Sequence, residues 1–118
     1  MKKTLSLIIF TLLSINISAQ SPVGSWERYH NSEKGEKLKS VVIFSDGYQS
    51  ISTYNAKTGK FIYTNGGTWK LEGDSMTEKV EFDTGNSERV GLEVTFKVQI
   101  TDSTMKIVGS EMEFKRID

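Results

Sequence analysis

The only histidine of the chain, His30, follows Trp26 and Arg28 at alternate positions in Gly24-Ser25-Trp26-Glu27-Arg28-Tyr29-His30. In a β-strand alternate side chains share a face. One face then carries a large aromatic, a permanent cation and an imidazole that titrates near neutrality. A strand that buries Trp26 buries that whole parity, and charged groups enter an interior cheaply only when they are paired or wet. The inside of this protein is therefore expected to be a pocket as well as a packing surface. Other groups join it by the same parity argument. Glu78 goes with Met76, Val80 and Phe82, Tyr48 and Tyr54 with Ser50 and Ser52, Tyr63 with Phe61, and Arg116 with Met112 and Phe114.

Together these residues suit β-elimination from a uronic acid. Removing the weakly acidic C5 proton builds negative charge on the adjacent carboxylate, which Arg28 or Arg89 would stabilise. His30 has the unperturbed pKa of a general base at neutral pH. A tyrosine hydroxyl, Tyr48 or Tyr63, would protonate the oxygen leaving C4. Tyr54, Trp69 and Glu78 complete the expected substrate-binding set. Loss of water makes the reaction a dehydration and loss of a sugar makes it a lyase reaction; the residues do not choose between them. Each residue alone also has a plain structural role open to it. Arg116 can cap Trp26 as a cation–π pair, and Glu78 can pair with an interior arginine. His30 can be an ordinary hydrogen-bonded residue, and Tyr48 a rim aromatic after a turn.

Other chemistries are poorly served. One histidine and no cysteine leave too few ligands for a dedicated zinc site, and no metal or cofactor is expected. No glycine-rich loop opens a helix to cradle phosphate, and no Gly-x-Ser-x-Gly elbow occurs. The acidic residues fall mostly in turns or on outward parity, away from a glycosidase carboxylate pair.

The positioning elements follow from composition and pattern. The chain has 118 residues with 15 basic and 15 acidic side chains. Met1-Lys2-Lys3, the apolar run Leu5 to Ile17 and the small residue Ala19 before Gln20 read as a signal peptide over 1–19, too short to span a bilayer. Residues 20–118 then form one domain, periplasmic or secreted, slightly acidic, with no footprint for nucleic acid or for a membrane surface. A monomer is expected. Without cysteine the core must hold the fold unaided. Strands are read at Gly24–His30, Leu38–Phe44, Tyr48–Tyr54, Phe61–Thr64, Thr68–Glu72, Met76–Phe82, Val90–Ile100, Thr104–Val108 and Glu111–Ile117. Asp46-Gly47, Asn65-Gly66-Gly67 and Gly73-Asp74-Ser75 read as the turns between them. Every connection suits antiparallel neighbours, and none is long enough for a crossover helix. The expected fold is all-β, a small antiparallel up-and-down barrel of about 8–9 strands, a size that either fills with side chains or holds one small ligand.

The Gly24-x-Trp26 opening, the β-meander and Arg116 in the last strand resemble the lipocalin-like (calycin) barrels. That resemblance implies that Trp26 closes one end with Arg116 packed over it. Phe44-Ser45-Asp46-Gly47-Tyr48 and Gly66-Gly67-Thr68-Trp69 resemble elements of the compact secreted lipocalin-like proteins of Bacteroidetes. In size, export and residue texture the chain also resembles a small oligosaccharide dehydratase family that acts in ulvan breakdown. This second resemblance implies water removal from a terminal glucuronate, and no site residue is carried over from it. The expected function is accordingly a carbohydrate-active dehydratase or lyase acting on an acidic oligosaccharide. The alternatives are a non-catalytic lipocalin-like small-ligand binder and, with Tyr29 as its one outward aromatic, a protein-interaction domain.

Overall fold

The structure, a computed structural model, describes residues 21–118; the expected signal peptide lies outside the described residues. Eight strands close into one antiparallel barrel in chain order: β1 (Gly24–Asn31), β2 (Lys37–Phe44), β3 (Tyr48–Asn55), β4 (Phe61–Glu72), β5 (Ser75–Asp83), β6 (Glu93–Ile100), β7 (Thr104–Ile107) and β8 (Glu113–Arg116). The architecture is the all-β up-and-down barrel read from the sequence, and it is compatible with a lipocalin-like fold. A single 3-10 turn, Ser87–Arg89, interrupts the β5–β6 connection, capped by the Asn86 side chain on the Glu88 N–H.

Two expected strands, Phe61–Thr64 and Thr68–Glu72, are one twelve-residue strand, β4. Asn65-Gly66-Gly67 is therefore not a turn but the middle of that strand. Its glycines serve close approach: a Cβ on Gly66 would run into the Gln49 carbonyl oxygen and the Phe82 ring, and one on Gly67 into the Lys79 carbonyl oxygen. The β4–β5 register shifts at this point, so Gly66 faces Phe82 while Gly67 faces Val80, and Glu81 is the extra residue. A bulge of this kind bends and twists the strand, which a small barrel needs in order to close.

The bulges also move side chains between faces. Phe82 shares sequence parity with Glu78, but the bulge at Glu81 turns it outward, where it is exposed and covers Gly66. A second shift pairs Thr53 with Tyr63 but Tyr54 with Phe61. Tyr63 consequently faces in, while Phe61 is exposed and packs edge-on against Tyr54 outside the barrel, with ring centroids 5.8 Å apart. The expected strand from Val90 begins only at Glu93, because Val90 and Leu92 are taken up by turn hydrogen bonds to Ser87 and Arg89.

The core gathers at one end. Trp26, Met76 and Phe114 are buried there with Val42, Phe44, Val98 and Met105. Trp26 is fully buried, and its indole N–H donates to the Pro22 carbonyl at 2.8 Å. The Arg116 guanidinium lies 4.2 Å from the Trp26 ring, donates to the carbonyls of Asp102 and Val23, and pairs with Asp118. This is the floor plug expected from the Gly-x-Trp opening. Gly24 makes room for it: its φ is +135°, and a Cβ there would sit 2.5 Å from Arg116 Nη1.

Candidate functional site

Above the floor the barrel lumen holds a cavity of about 400 Å³ that opens to solvent. Its volume falls in the range of small-molecule sites. The inner end is walled by Val42, Phe44, Met76, Met105 and Phe114. Val94, Phe96, Ile107 and Met112 line the side formed by β6, β7 and the turn before β8. Five polar side chains face this mostly apolar space: Gln49, Tyr63, Asn65, Glu78 and Arg89.

Each is placed by strand parity. Gln49, Ile51 and Thr53 form the inner face of β3, because β2 must turn Val42 and Phe44 inward and its register sets Ile51 against Val42 and Gln49 against Phe44. Glu78 follows Met76 on β5, two residues nearer the barrel mouth. Burial pushes its carboxyl up to about 7, against an opposing pull from the Arg89 guanidinium. No cation lies within 4.0 Å of it among the described residues, so the expected ion pair with an interior arginine does not form. Arg89 is instead engaged by Asp83, Nη1 to Oδ2 at 3.5 Å, and the Asp83 side chain is only 3% exposed. The other Asp83 oxygen accepts the N–H groups of Gly85 and Asn86, which fixes the loop that presents Arg89. Gln49, Tyr63, Asn65 and Glu78 make no side-chain hydrogen bond among the described residues, while no fully buried polar atom there lacks a partner. Their polar ends are therefore turned to the cavity space.

The strand that opened the sequence argument lies beside this cavity. Arg28 and His30 share the inner parity of β1 with Trp26, but neither lines the cavity. His30 Nε2 is hydrogen-bonded to Ser40 Oγ at 2.9 Å, and Ser40 Oγ to the fully buried Thr53 Oγ1 at 2.9 Å. Partial burial, then the Arg28 charge, lower the His30 pKa below its ordinary value. Arg28 has no carboxylate within 4.0 Å among the described residues.

Three other expected site residues lie elsewhere. Tyr48 and Tyr54 were expected inside and are outside, since β3 buries the opposite parity; Tyr48 is 60% exposed. Trp69 packs edge-on against Phe44 at 5.6 Å, and its N–H is shared by the carbonyls of Ser45 and Tyr48. It ties the β2–β3 turn to the floor and does not wall the cavity. Of the expected set, the structure thus brings Tyr63, Glu78 and Arg89 together, keeps Arg28 and His30 on an adjoining stretch of inner wall, and separates Tyr48, Tyr54 and Trp69. Gln49, Asn65 and Asp83 were not anticipated. Gln49 was signalled by its alternation with Ile51, whereas Asn65 was hidden by its reading as a turn.

Among the described residues no helix is long and apolar enough to cross a membrane, and no cluster of three potential metal ligands occurs. A scan against protein-family models finds no match, and a search of curated proteins finds no relative.

Proposed function

We propose that the barrel is a small-ligand binding protein of lipocalin-like type, with the lumenal cavity as its site. One observation carries this reading: a cavity of about 400 Å³ with largely apolar walls and a few polar groups whose hydrogen-bonding capacity is unspent inside the protein. Apolar walls supply affinity by shedding water, and convergent polar groups fix orientation. The Gly24-x-Trp26 opening and the Arg116 plug support kinship with the small secreted lipocalin-like proteins of Bacteroidetes. The leader-like residues 1–19 support a periplasmic or secreted location. The test is titration of the purified protein with the neutral fluorescent probe N-phenyl-1-naphthylamine. One-to-one saturable binding is expected, and Val94→Trp, which fills the cavity from β6, should abolish it. Non-saturating binding, or binding untouched by Val94→Trp, refutes the reading.

A second reading, acid–base elimination on an acidic sugar end, draws on one further observation: Glu78 is held near neutrality in the same cavity as Tyr63. In this reading Arg89 binds the uronate carboxylate. The Glu78 carboxylate takes the C5 proton, the C5–H electrons form the C4–C5 double bond, and the C4–O bond breaks. Tyr63 protonates the departing oxygen, and the proton on Glu78 returns to the tyrosine as water or alcohol leaves. Glu78 thereby takes the part first given to His30, whose Nε2 is engaged by Ser40. Incubation with glucuronate-ended, ulvan-type oligosaccharides should raise ultraviolet absorbance from the unsaturated sugar. Silence across such substrates, or full activity in Glu78→Gln, removes this reading.

A further inference from the structure

We propose that the lumenal ligand is an amphiphile bearing a protonated amine, with its ammonium group against the Glu78 carboxylate and its apolar part against the methionine and phenylalanine walls. The proposal rests on the reading of the lumen as a ligand site, and it follows from how charge is distributed there.

Among the described residues only two charged side chains line the cavity, Glu78 and Arg89. The Arg89 charge is already answered by Asp83 in an ion pair whose carboxylate is almost fully shielded from water. Glu78 has no such answer within 4.0 Å among the described residues. With Glu78 ionised, the three groups together carry one more negative charge than positive. The elements packed around Glu78 do not change this. β4 contributes Tyr63 and Asn65, β3 contributes Gln49 and Ile51, and β6 contributes Val94 and Phe96, all uncharged. On β1, Arg28 and His30 share the inner parity but lie off the cavity wall, and among the described residues Arg89 is the one cation that acts on Glu78. A carboxylate ligand would have to share Arg89 with Asp83 while facing Glu78. An ammonium ligand meets an unpaired carboxylate, with the acceptor oxygens of Gln49, Asn65 and Tyr63 elsewhere in the same cavity.

The rest of the wall fits the other half of such a molecule. Met76, Met105 and Met112 are unbranched and polarizable, and they adapt to an apolar chain of variable shape. Phe44, Phe96 and Phe114 add aromatic faces, which also tolerate a nearby cation.

Three probes of one chain length separate the possibilities: octylamine, 1-octanol and octanoate, each titrated calorimetrically into the purified protein at pH 8. Octylamine should bind roughly tenfold or more tighter than 1-octanol, the increment of a charge-assisted hydrogen bond, and octanoate weakest. Glu78→Gln should erase the preference for the amine and leave 1-octanol binding in place. Equal binding of amine and alcohol to the unmodified protein, or tighter octanoate, overturns the proposal while the ligand-site reading stands. So does an amine preference that survives Glu78→Gln. Failure of all three probes to bind, together with failure of the naphthylamine probe, overturns the ligand-site reading itself.

Discussion

Replacing Glu78 by glutamine should stabilise the protein, and only in part of the pH range. The side chain sits on an apolar wall with no cation within ion-pair distance among the described residues, and its pKa is pushed from an ordinary 4.5 up to about 7. The folded state therefore holds the proton more tightly than the unfolded chain does. Below pH 4.5 the carboxyl is neutral in both states and costs nothing. As pH rises from 4.5 to about 7 the unfolded state ionises first, and stability is lost progressively; above about 7 the loss is complete. At about 1.36 kcal/mol per pH unit, that interval is worth roughly 3 kcal/mol. Residual water contact in the cavity makes this an upper bound. Glutamine keeps the shape and cannot ionise, so Glu78→Gln should match the parent near pH 4 and exceed it by about 2–3 kcal/mol at pH 8. Urea unfolding of both proteins at a series of pH values measures the difference directly, because the other titrating groups cancel between them. A flat difference across pH, or a variant that is less stable than the parent at pH 8, would refute the account of Glu78 as a buried, uncompensated carboxyl.

Gly67→Ala drives a methyl into the Lys79 carbonyl at the β4–β5 bulge and should cost more than about 3 kcal/mol or prevent folding, read from thermal melting. Arg28→Gln removes a cation that depresses the His30 pKa, so NMR titration of the single imidazole should shift upward while remaining below the ordinary value of 6.5 through partial burial. Tyr48→Ala, on the outer surface, should leave probe binding unchanged, whereas Tyr63→Trp, inside the cavity, should weaken it at least about tenfold.

The sequence carried the barrel and its floor in plain view. Trp26 and Arg116 could be placed together because the lipocalin-like resemblance pairs them and Arg116 alternates with Met112 and Phe114, and the fold sets the two in register. The run from Val94 to Ile100 declared its inner face in the same way. The inner wall of β3 was not legible by this route. Both of its parities mix polar and larger side chains, and the choice is made across the ladder by Val42 and Phe44 on β2. Parity also assumes an unbroken strand. One extra residue at Glu81 was enough to send Phe82 outward, and another irregularity beside Thr53 separated Tyr63 from Phe61. Asn65-Gly66-Gly67 has the composition of a turn, yet its glycines answer a steric demand from β3 and β5 that is not written locally. Glu78 was found inside because no bulge lies between it and Met76, whereas Tyr63 lies inside although Phe61, the neighbour whose parity placed it there, does not.

Arg116 touches three separate stretches of chain: the segment leading into β1 through Val23, the β6–β7 turn through Asp102, and the tail through Asp118. It does so where β1 and β8 share only two register pairs, Trp26 with Arg116 and Glu27 with Lys115. The cylinder is therefore fastened at its floor by a clasp, and that clasp joins the beginning of the fold to its end. In a chain without disulfides this one side chain serves as the removable pin of a cross-link. Its two ends lie 93 residues apart in the chain, so this closure carries a large loop-closure entropy. Undoing it leaves two free sheet edges, at β1 and β8, that any similar chain could extend.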